Sequence, residues 1–186
     1  MIRLLYNYYE DKNPVRKKEI DFCLQQNLAN PHLNVIVVET AEKPSYNFFF
    51  EKINELTGPD DINIICNSDI FFDDTILLTQ HLKHHASYVL SRWDYINEQN
   101  VKLFDRADSQ DTWIVRGPIR NVVGGFTLGK KGCDNRIAYE LKDAGYFPTN
   151  PARSIKTYHV QNSGIRNYSH NDTIIGKYLQ VNITNL

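Results

Sequence analysis

The sequence lacks any apolar run approaching the roughly 20 residues that span a lipid bilayer. Its start, MIRLLYNYYEDK, turns polar after a short apolar piece and does not resemble a secretory signal peptide. The formal net charge of -1 over 186 residues lacks the positive excess that general nucleic-acid binders and polybasic membrane anchors need. We therefore expect a cytoplasmic protein with no transmembrane segment and no nucleic-acid partner.

Cysteine and the common catalytic motifs are also scarce. Cys23, Cys66 and Cys133 are far apart and odd in number, so they form neither a C-x-x-C motif nor a disulfide framework. This favours a reducing compartment. The sequence contains no P-loop, no dinucleotide-binding glycine fingerprint, no G-x-S-x-G and no H-E-x-x-H. P-loop nucleotide hydrolysis and zincin-type proteolysis are therefore not expected.

Hydrophobic residues make up 41% of the chain and charged residues 23%, which is typical of an ordinary globular protein. The length fits a single domain over 1–186, either a minimal protein or one domain of a longer polypeptide. Over the first ninety residues, apolar runs alternate with helical patterns. The predicted elements are strands at 2–6, 34–38, 61–66 and 87–93, and helices at 17–28, 45–56 and 75–85.

This alternation predicts an α/β fold with a mostly parallel central sheet flanked by helices. The continuous apolar run at 34–38 is typical of a parallel strand buried on both faces, and Ser45 suits a helix N-cap. The second half is less regular. It predicts a polar loop at 97–116 with a short strand at 112–115, a strand at 126–128, a helix at 134–144 and a strand at 154–160.

Polar residues follow the predicted strands of the first half, at Asn7, Glu39, Asn67-Ser68-Asp69 and Asp94. Ligands of open α/β sheets bind beyond the carboxyl ends of the strands, so these residues indicate a site. Asp69 with Asn67 suits a divalent cation, which prefers oxygen ligands, although a polar turn explains the same residues. Asp73 and Asp74 fit the start of a helix, where acids complement the helix dipole.

Three later features have two interpretations each. A single histidine such as His159 is usually structural, and it is a candidate ligand only if the fold brings it to Asp69. Asp134 is either the N-cap of its helix or a general base at a helix start. Asp111 and Trp113 suit a sugar, since the acid accepts hydrogen bonds from hydroxyls and the ring covers an apolar face, but they also fit a loop anchor.

Together, these segments resemble the GT-A glycosyltransferases, in particular those similar to family 2. The triplet Asn67-Ser68-Asp69 corresponds to their D-x-D motif. The segment GCDNRIAYELKDAGYFPTNPARSIKTYH, from Gly132 to His159, is similar to a later segment with an acidic pair, a glycine, a proline and a histidine. The resemblance extends from Ile2 to about His159.

The resemblance implies an inverting hexosyl- or deoxyhexosyltransferase that moves a sugar from a nucleoside-diphosphate sugar, with UDP favoured, to a hydroxyl of a glycan or other acceptor. It implies Mn²⁺ or Mg²⁺ held by Asp69 and His159, and Asp134 as the catalytic base. Glu39 would contact the nucleobase. The residues implied at the nucleotide and donor are Tyr6, Asn7, Glu39, Lys43, Tyr46, Asn47, Asn67, Ser68, Arg92, Lys156 and Arg166, and those near the sugar or acceptor are Asp111 and Trp113.

Two positions depart from the family pattern: Asn67 replaces the first acid of D-x-D, and Cys133 replaces the first acid of the later pair. Two alternatives therefore stay open. A nucleotidyltransferase shares the sheet and the metal, but the segment YNYYEDKNPVRKK has no glycine for its phosphate loop. A non-catalytic sugar-nucleotide or glycan-binding module is favoured by Asn67.

Overall fold

The computed structural model describes residues 1–40, 42–165 and 172–186. Within these ranges the chain forms ten strands, three α-helices and one 3₁₀-helix. In chain order they are β1 (Ile2–Tyr8), α1 (Pro14–Ala29), β2 (Asn34–Glu39), α2 (Tyr46–Leu56), β3 (Ile62–Cys66), β4 (Ile70–Phe72), the 3₁₀-helix (Asp74–His81), β5 (Ala86–Leu90), β6 (Trp93–Asn97), β7 (Asn100–Leu103), β8 (Thr112–Arg116), α3 (Cys133–Asp143), β9 (Phe147–Thr149) and β10 (Thr157–His159).

The main sheet has six strands in the order β2-β1-β3-β8-β5-β9. β1 pairs in parallel with β2 and β3, and β5 pairs in parallel with β9. β8 lies antiparallel between β3 and β5. The α/β class is confirmed, but the sheet is mixed, so the prediction of a mostly parallel sheet is wrong. The apolar pattern of β8 predicts that this strand is buried. The pattern does not indicate the direction of β8 or the strands with which it pairs.

A second sheet of four strands has the order β4-β10-β6-β7. It includes β7, which lies in the segment predicted as a loop, and β6, which the sequence merged with β5. The two are separate because the chain turns at Ser91: its backbone N–H donates to Oδ1 of Asn150 at 3.1 Å and its hydroxyl to the carbonyl of Ser109 at 2.8 Å. This buried polar turn redirects the chain from one sheet to the other.

Three of the four predicted helices are confirmed as the α-helices α1, α2 and α3, close to their predicted positions. Ser45 is the N-cap of α2, as predicted, and accepts from the N–H of Phe48. The stretch predicted as a helix at 75–85 is instead a 3₁₀-helix capped by Asp73. No strand forms at 126–128 in the described chain, where Thr127 makes only an isolated bridge to Ser45.

The main sheet separates two apolar clusters. Successive β1 residues alternate between them: Leu4 and Tyr6 belong to one cluster and Leu5 to the other. β1 and β3 are thus buried on both faces, whereas β2 lies at the sheet edge and is partly exposed, contrary to the prediction for 34–38. Among the described residues, no helix combines the length and apolarity needed to cross a bilayer, as expected.

Candidate functional site

A cleft of about 570 Å³ opens beside the carboxyl ends of β1 and β3. Asn7 ends the buried part of β1, and Asn67, Ser68 and Asp69 follow β3 directly. The loop before α3 and the first turn of that helix, which includes Asp134, also line the cleft. The cleft therefore lies at the edge of the sheet that the strand-end polar residues indicated.

Asp69 is the centre of a buried ionic cluster at the floor of the cleft. The residue is 5% exposed, and its Oδ2 accepts a hydrogen bond from Nη2 of Arg16. Nε2 of His159 lies 3.1 Å from the same oxygen. Burial alone would raise the pKa of Asp69, but the charges of His159 and Arg16 outweigh it and hold the pKa well below its ordinary value. Asp69 is therefore ionised at all ordinary pH values.

Strand pairing brings His159 to Asp69. β10 pairs antiparallel with β4, with His159 opposite Ile70. The N–H of Val160 also donates to the carbonyl of Asp69 at 2.9 Å. The fold thus brings His159 next to Asp69, which the sequence analysis required before His159 could be a candidate site residue.

Arg16 lies in the first turn of α1 and was not predicted as a site residue. Its Nη1 donates to Oε2 of Glu19 at 2.9 Å and to the carbonyl of Val160 at 3.3 Å. Glu19 is itself bound by the N–H and hydroxyl of Ser163, at 2.7 and 2.9 Å. The guanidinium is therefore buried and fixed in direction. The one feature of the sequence that could have indicated Arg16 is its spacing of three residues from Glu19. Such spacing is common for ion pairs on exposed helix faces, so it did not indicate a site.

His159 bridges two carboxylates. Its Nδ1 lies 3.5 Å from Oδ1 of Asp94, while Nε2 faces Asp69. Burial would lower the pKa of His159, but the charge of Asp69 and hydrogen bonds to Asp69 and Asp94 raise it to about 9. A neutral imidazole has a single N–H, so two acceptors on opposite nitrogens are satisfied only by the imidazolium.

The ionic cluster continues along the cleft to Asn67. Arg92 donates from Nε to Asp94 at 2.8 Å and from Nη1 to Oδ2 of Asp111 at 3.1 Å. Nδ2 of Asn67 donates to Oδ1 of Asp111 at 2.7 Å. Asn67 therefore acts as a hydrogen-bond donor within the cluster and orients Asp111.

The residues around Asp69 do not fit a divalent cation. In the part of the chain that the structure describes, no group of three His, Cys, Asp or Glu side chains is arranged to hold a metal ion. Nε2 of His159 and Nη2 of Arg16 both contact Oδ2 of Asp69. Arg16, already a cation, occupies Oδ2 of Asp69, and only Oδ1 lacks a hydrogen-bond partner among the described residues.

Asp134 lies in the first turn of α3 and lines the same cleft as Asp69. The N-cap of α3 is Gly132, with a φ of 80°, so the interpretation of Asp134 as the N-cap is wrong. The N–H of Gln110 donates to Oδ2 of Asp134 at 3.4 Å. Burial, assisted by the charge of Asp111, raises the pKa of Asp134 to about 6. A carboxylate with this pKa, facing a cleft, suits a general base near neutral pH.

Three lysines lie at the same wall. Lys130 and Lys131 precede α3, between Gly129 and Gly132, which both have positive φ. Lys43 is close to this loop, since a Cβ on Gly129 would lie 3.8 Å from its Nζ. Desolvation and the charges of Arg16 and Lys130 lower the pKa of Lys43. Positive charge is thus concentrated between the loop and the Asp69 cluster.

Three residues implied at the ligand lie in the core instead. Tyr6 and Tyr46 are fully buried and Trp113 is 3% exposed. The hydroxyl of Tyr6 donates to the carbonyl of Ser68, and that of Tyr46 donates to Sγ of Cys133 at 3.6 Å. The apolar runs of their strands and helix explain this burial. These side chains position the cleft residues and do not line the cleft.

The other implied residues divide into two groups. Asn7, Lys43, Ser68, Arg92 and Asp111 line the cleft, as do Asn67, Asp69, Asp134 and His159. The hydroxyl of Ser68 donates to the carbonyl of Asn7 at 2.7 Å, which links the ends of β1 and β3.

Three implied residues lie away from the cleft lining that the structure describes. Glu39 is exposed at the end of β2. Oδ1 of Asn47 accepts from the N–H of Gly124 at 2.8 Å, and Nζ of Lys156 lies 5.3 Å from the centre of the Trp93 ring. Arg166 lies outside the described residues.

No protein-family model and no curated protein matches this chain, so its function is inferred from the residues and geometry of the cleft.

Proposed function

We propose that this chain is a GT-A glycosyltransferase that transfers a sugar from a nucleoside-diphosphate sugar, UDP favoured, to a hydroxyl of an acceptor. The observation on which the proposal depends is the placement of Asp134. A half-buried carboxylate with a pKa raised to about 6 faces a cleft with a surplus of basic side chains. A general base beside an anion-binding wall suits attack by a hydroxyl on a carbon that carries a phosphate leaving group.

The chemical step follows from this arrangement. The acceptor oxygen attacks the anomeric carbon, the bond from that carbon to the diphosphate oxygen breaks, and the electron pair leaves with the diphosphate. Asp134 takes the proton of the attacking hydroxyl. Attack opposite the leaving group inverts the configuration at the anomeric carbon. Basic side chains of the cleft stabilise the charge that develops on the diphosphate.

No step of this proposal involves a metal ion, because the donor set around Asp69 does not fit one. The ionic cluster fixes the floor of the cleft in one arrangement, with Arg92 and Asp111 facing the ligand. Preorganised groups of this kind need no rearrangement during the reaction. The nucleobase, the cytoplasmic location and the single domain over residues 1–186, alone or as one domain of a longer polypeptide, stay predictions.

The test is release of the nucleoside diphosphate from a panel of nucleoside-diphosphate sugars, with and without small glycan acceptors. The wild-type chain should release one nucleotide type, and faster with an acceptor. Asp134→Asn should lower this rate by at least roughly 100-fold while nucleotide binding persists. Nucleotide binding with no turnover by the wild type would instead support the non-catalytic binding module, and near-normal turnover by Asp134→Asn would refute the role of Asp134.

A further inference from the structure

The cleft contains more positive than negative charge. Its described lining contains seven cationic side chains, at Arg16, Lys43, Arg92, Arg106, Lys130, Lys131 and His159, and four carboxylates, at Asp69, Asp108, Asp111 and Asp134. Arg16, Arg92 and Arg106 are each paired with one of these acids. Lys130 and Lys131 form no ion pair with the described part of the chain. A concave surface with such a surplus attracts anions.

We propose that the cleft binds the diphosphate of its donor with protein cations alone, and that Arg16 occupies the place at Asp69 where a divalent cation would be expected. This inference rests on the proposed function, because the diphosphate is that of the nucleotide-sugar donor. It specifies how the charge of that diphosphate is neutralised.

Arg16 has the properties of a built-in cation. It is 6% exposed, lines the cleft and is oriented by Glu19 and the carbonyl of Val160. Its Nη2 donates to Asp69. Its Nε is buried and has no acceptor among the described residues. A buried guanidinium N–H without an acceptor is rare in proteins, and a phosphate oxygen is the acceptor that guanidinium binds best.

Asp69 is compatible with this role of Arg16. Arg16 and His159 both contact Oδ2 of Asp69. Oδ1 is buried and accepts no hydrogen bond from the residues that the structure describes. An acceptor repels phosphate but binds a hydroxyl. The phosphate oxygens are therefore expected at Arg16 and not at Oδ1 of Asp69, which is a buried acceptor.

The second set of cations is the loop before α3. Lys130 and Lys131 belong to the segment Gly129–Gly132, and Lys43 lies against Gly129. The positive φ values of 75° and 80° at Gly129 and Gly132 make the loop a tight turn that leads into the N-terminus of α3. The three lysines and Arg16 line one cleft and together supply the positive charge that a bridging ion would otherwise provide to a diphosphate.

The experiment is a calorimetric titration of inorganic pyrophosphate and of UDP into the full chain, first in EDTA and then with Mn²⁺ or Mg²⁺. We expect both anions to bind in EDTA, with an affinity within about threefold of that measured with metal. The double variant Lys130→Gln/Lys131→Gln should bind both at least roughly tenfold more weakly in EDTA, because charge-assisted hydrogen bonds are lost. Lys52→Gln on α2, outside the cleft lining, is the control and should bind as the wild type does.

Arg16→Lys keeps the charge but loses the fork of donors, and should bind pyrophosphate in EDTA with an affinity between those of the wild type and a charge-removing Arg16→Gln. Binding of UDP only with metal would overturn this inference and leave the proposed function intact. Binding in EDTA that the lysine variants do not weaken would also overturn it, because the diphosphate would then lie elsewhere. Absence of binding in every condition would overturn both.

Discussion

Nε2 of His159 lies 3.1 Å from Oδ2 of Asp69, although 90 residues separate the two in the chain. Both side chains are buried, and the contact joins β10 to the turn after β3. With Asp94 on the other ring nitrogen, the imidazole is a cation between two carboxylates. The floor of the cleft is therefore an ionic cluster, and its stability depends on pH.

The first prediction concerns His159 and alkaline pH. Its folded-state pKa of about 9 lies above the ordinary value of 6.5, so the folded state binds the proton more tightly. The stabilisation is complete below pH 6.5 and is lost as the pH rises through about 9. Relative to His159→Gln, the wild type should lose about 3 kcal/mol of unfolding free energy between pH 6 and pH 10. Urea unfolding at several pH values measures this difference, and a constant difference would contradict the assignment of His159 as a buried cation.

The second prediction concerns Asp134, whose ionisation should destabilise the fold as the pH rises. An acid that forms an ion pair has the opposite effect, because its ionisation stabilises the fold. The pKa of Asp134 is raised from 3.8 to about 6, so the folded state holds the proton more tightly than the unfolded state. The wild type should therefore lose stability relative to Asp134→Asn as the pH rises from about 4 to about 6, by about 2 kcal/mol. Asp134→Asn should then be the more stable form at pH 8, as thermal unfolding of both at pH 4 and 8 will measure. A less stable Asp134→Asn at pH 8 would mean that the carboxylate is structural.

The third prediction is the pH dependence of turnover. If Asp134 is the base, only its ionised form is active, so turnover should rise with pH through about 6 and then level. Initial rates of nucleotide release between pH 5 and 8 test this. A rate independent of pH over that range would exclude Asp134 as the group that accepts the proton.

The fourth prediction concerns Arg16 and the stability of the fold. Arg16→Met leaves Asp69 with one cationic partner and Glu19 without its guanidinium, and breaking a buried ion pair costs about 3–5 kcal/mol. Lys17→Met is the matched control in the same helix turn, because Lys17 pairs with Asp21 at the surface. We expect urea unfolding to show a large loss of stability for Arg16→Met and almost none for Lys17→Met. Equal effects would show that the Arg16 cluster does not stabilise the fold.

The fifth prediction tests the turn after β8. Gly117 has a φ of 69°, and a Cβ there would lie 2.6 Å from the carbonyl oxygen of Pro59. Gly145 has a φ of 92° and no atom within 4 Å of such a Cβ. Gly145→Ala should cost about 1 kcal/mol from the backbone conformation alone, and Gly117→Ala clearly more, since it adds the clash. Similar losses in thermal unfolding would place the Pro59 carbonyl elsewhere.

Local pattern identified most of the elements on which the cleft is built. β1, β3, α2 and α3 have apolar spacing long enough to be recognised, and Asp69 and Asp134 were found because they follow a strand and open a helix. The direction of β8 and the existence of the second sheet could not be predicted, because both depend on pairing between segments far apart in the chain.

Two features of the site were hidden for the same reason. Arg16 was missed because a basic residue near the start of a helix is usually exposed, and only the approach of Asp69 and Val160 buries it. Tyr6, Tyr46 and Trp113 were expected at the ligand, but each packs into one of the two apolar clusters that the main sheet separates. Residue type indicated the chemistry, and only tertiary packing decided which side chains face the cleft.

The most direct test of the proposed donor site is a crystal structure of the chain grown with UDP. We expect the diphosphate in the cleft, within hydrogen-bond distance of Arg16 and the lysines before α3, with Asp134 facing the open space beside it. A nucleotide bound outside this cleft, or bound within it with its diphosphate away from Arg16 and Lys130, would refute the proposed site.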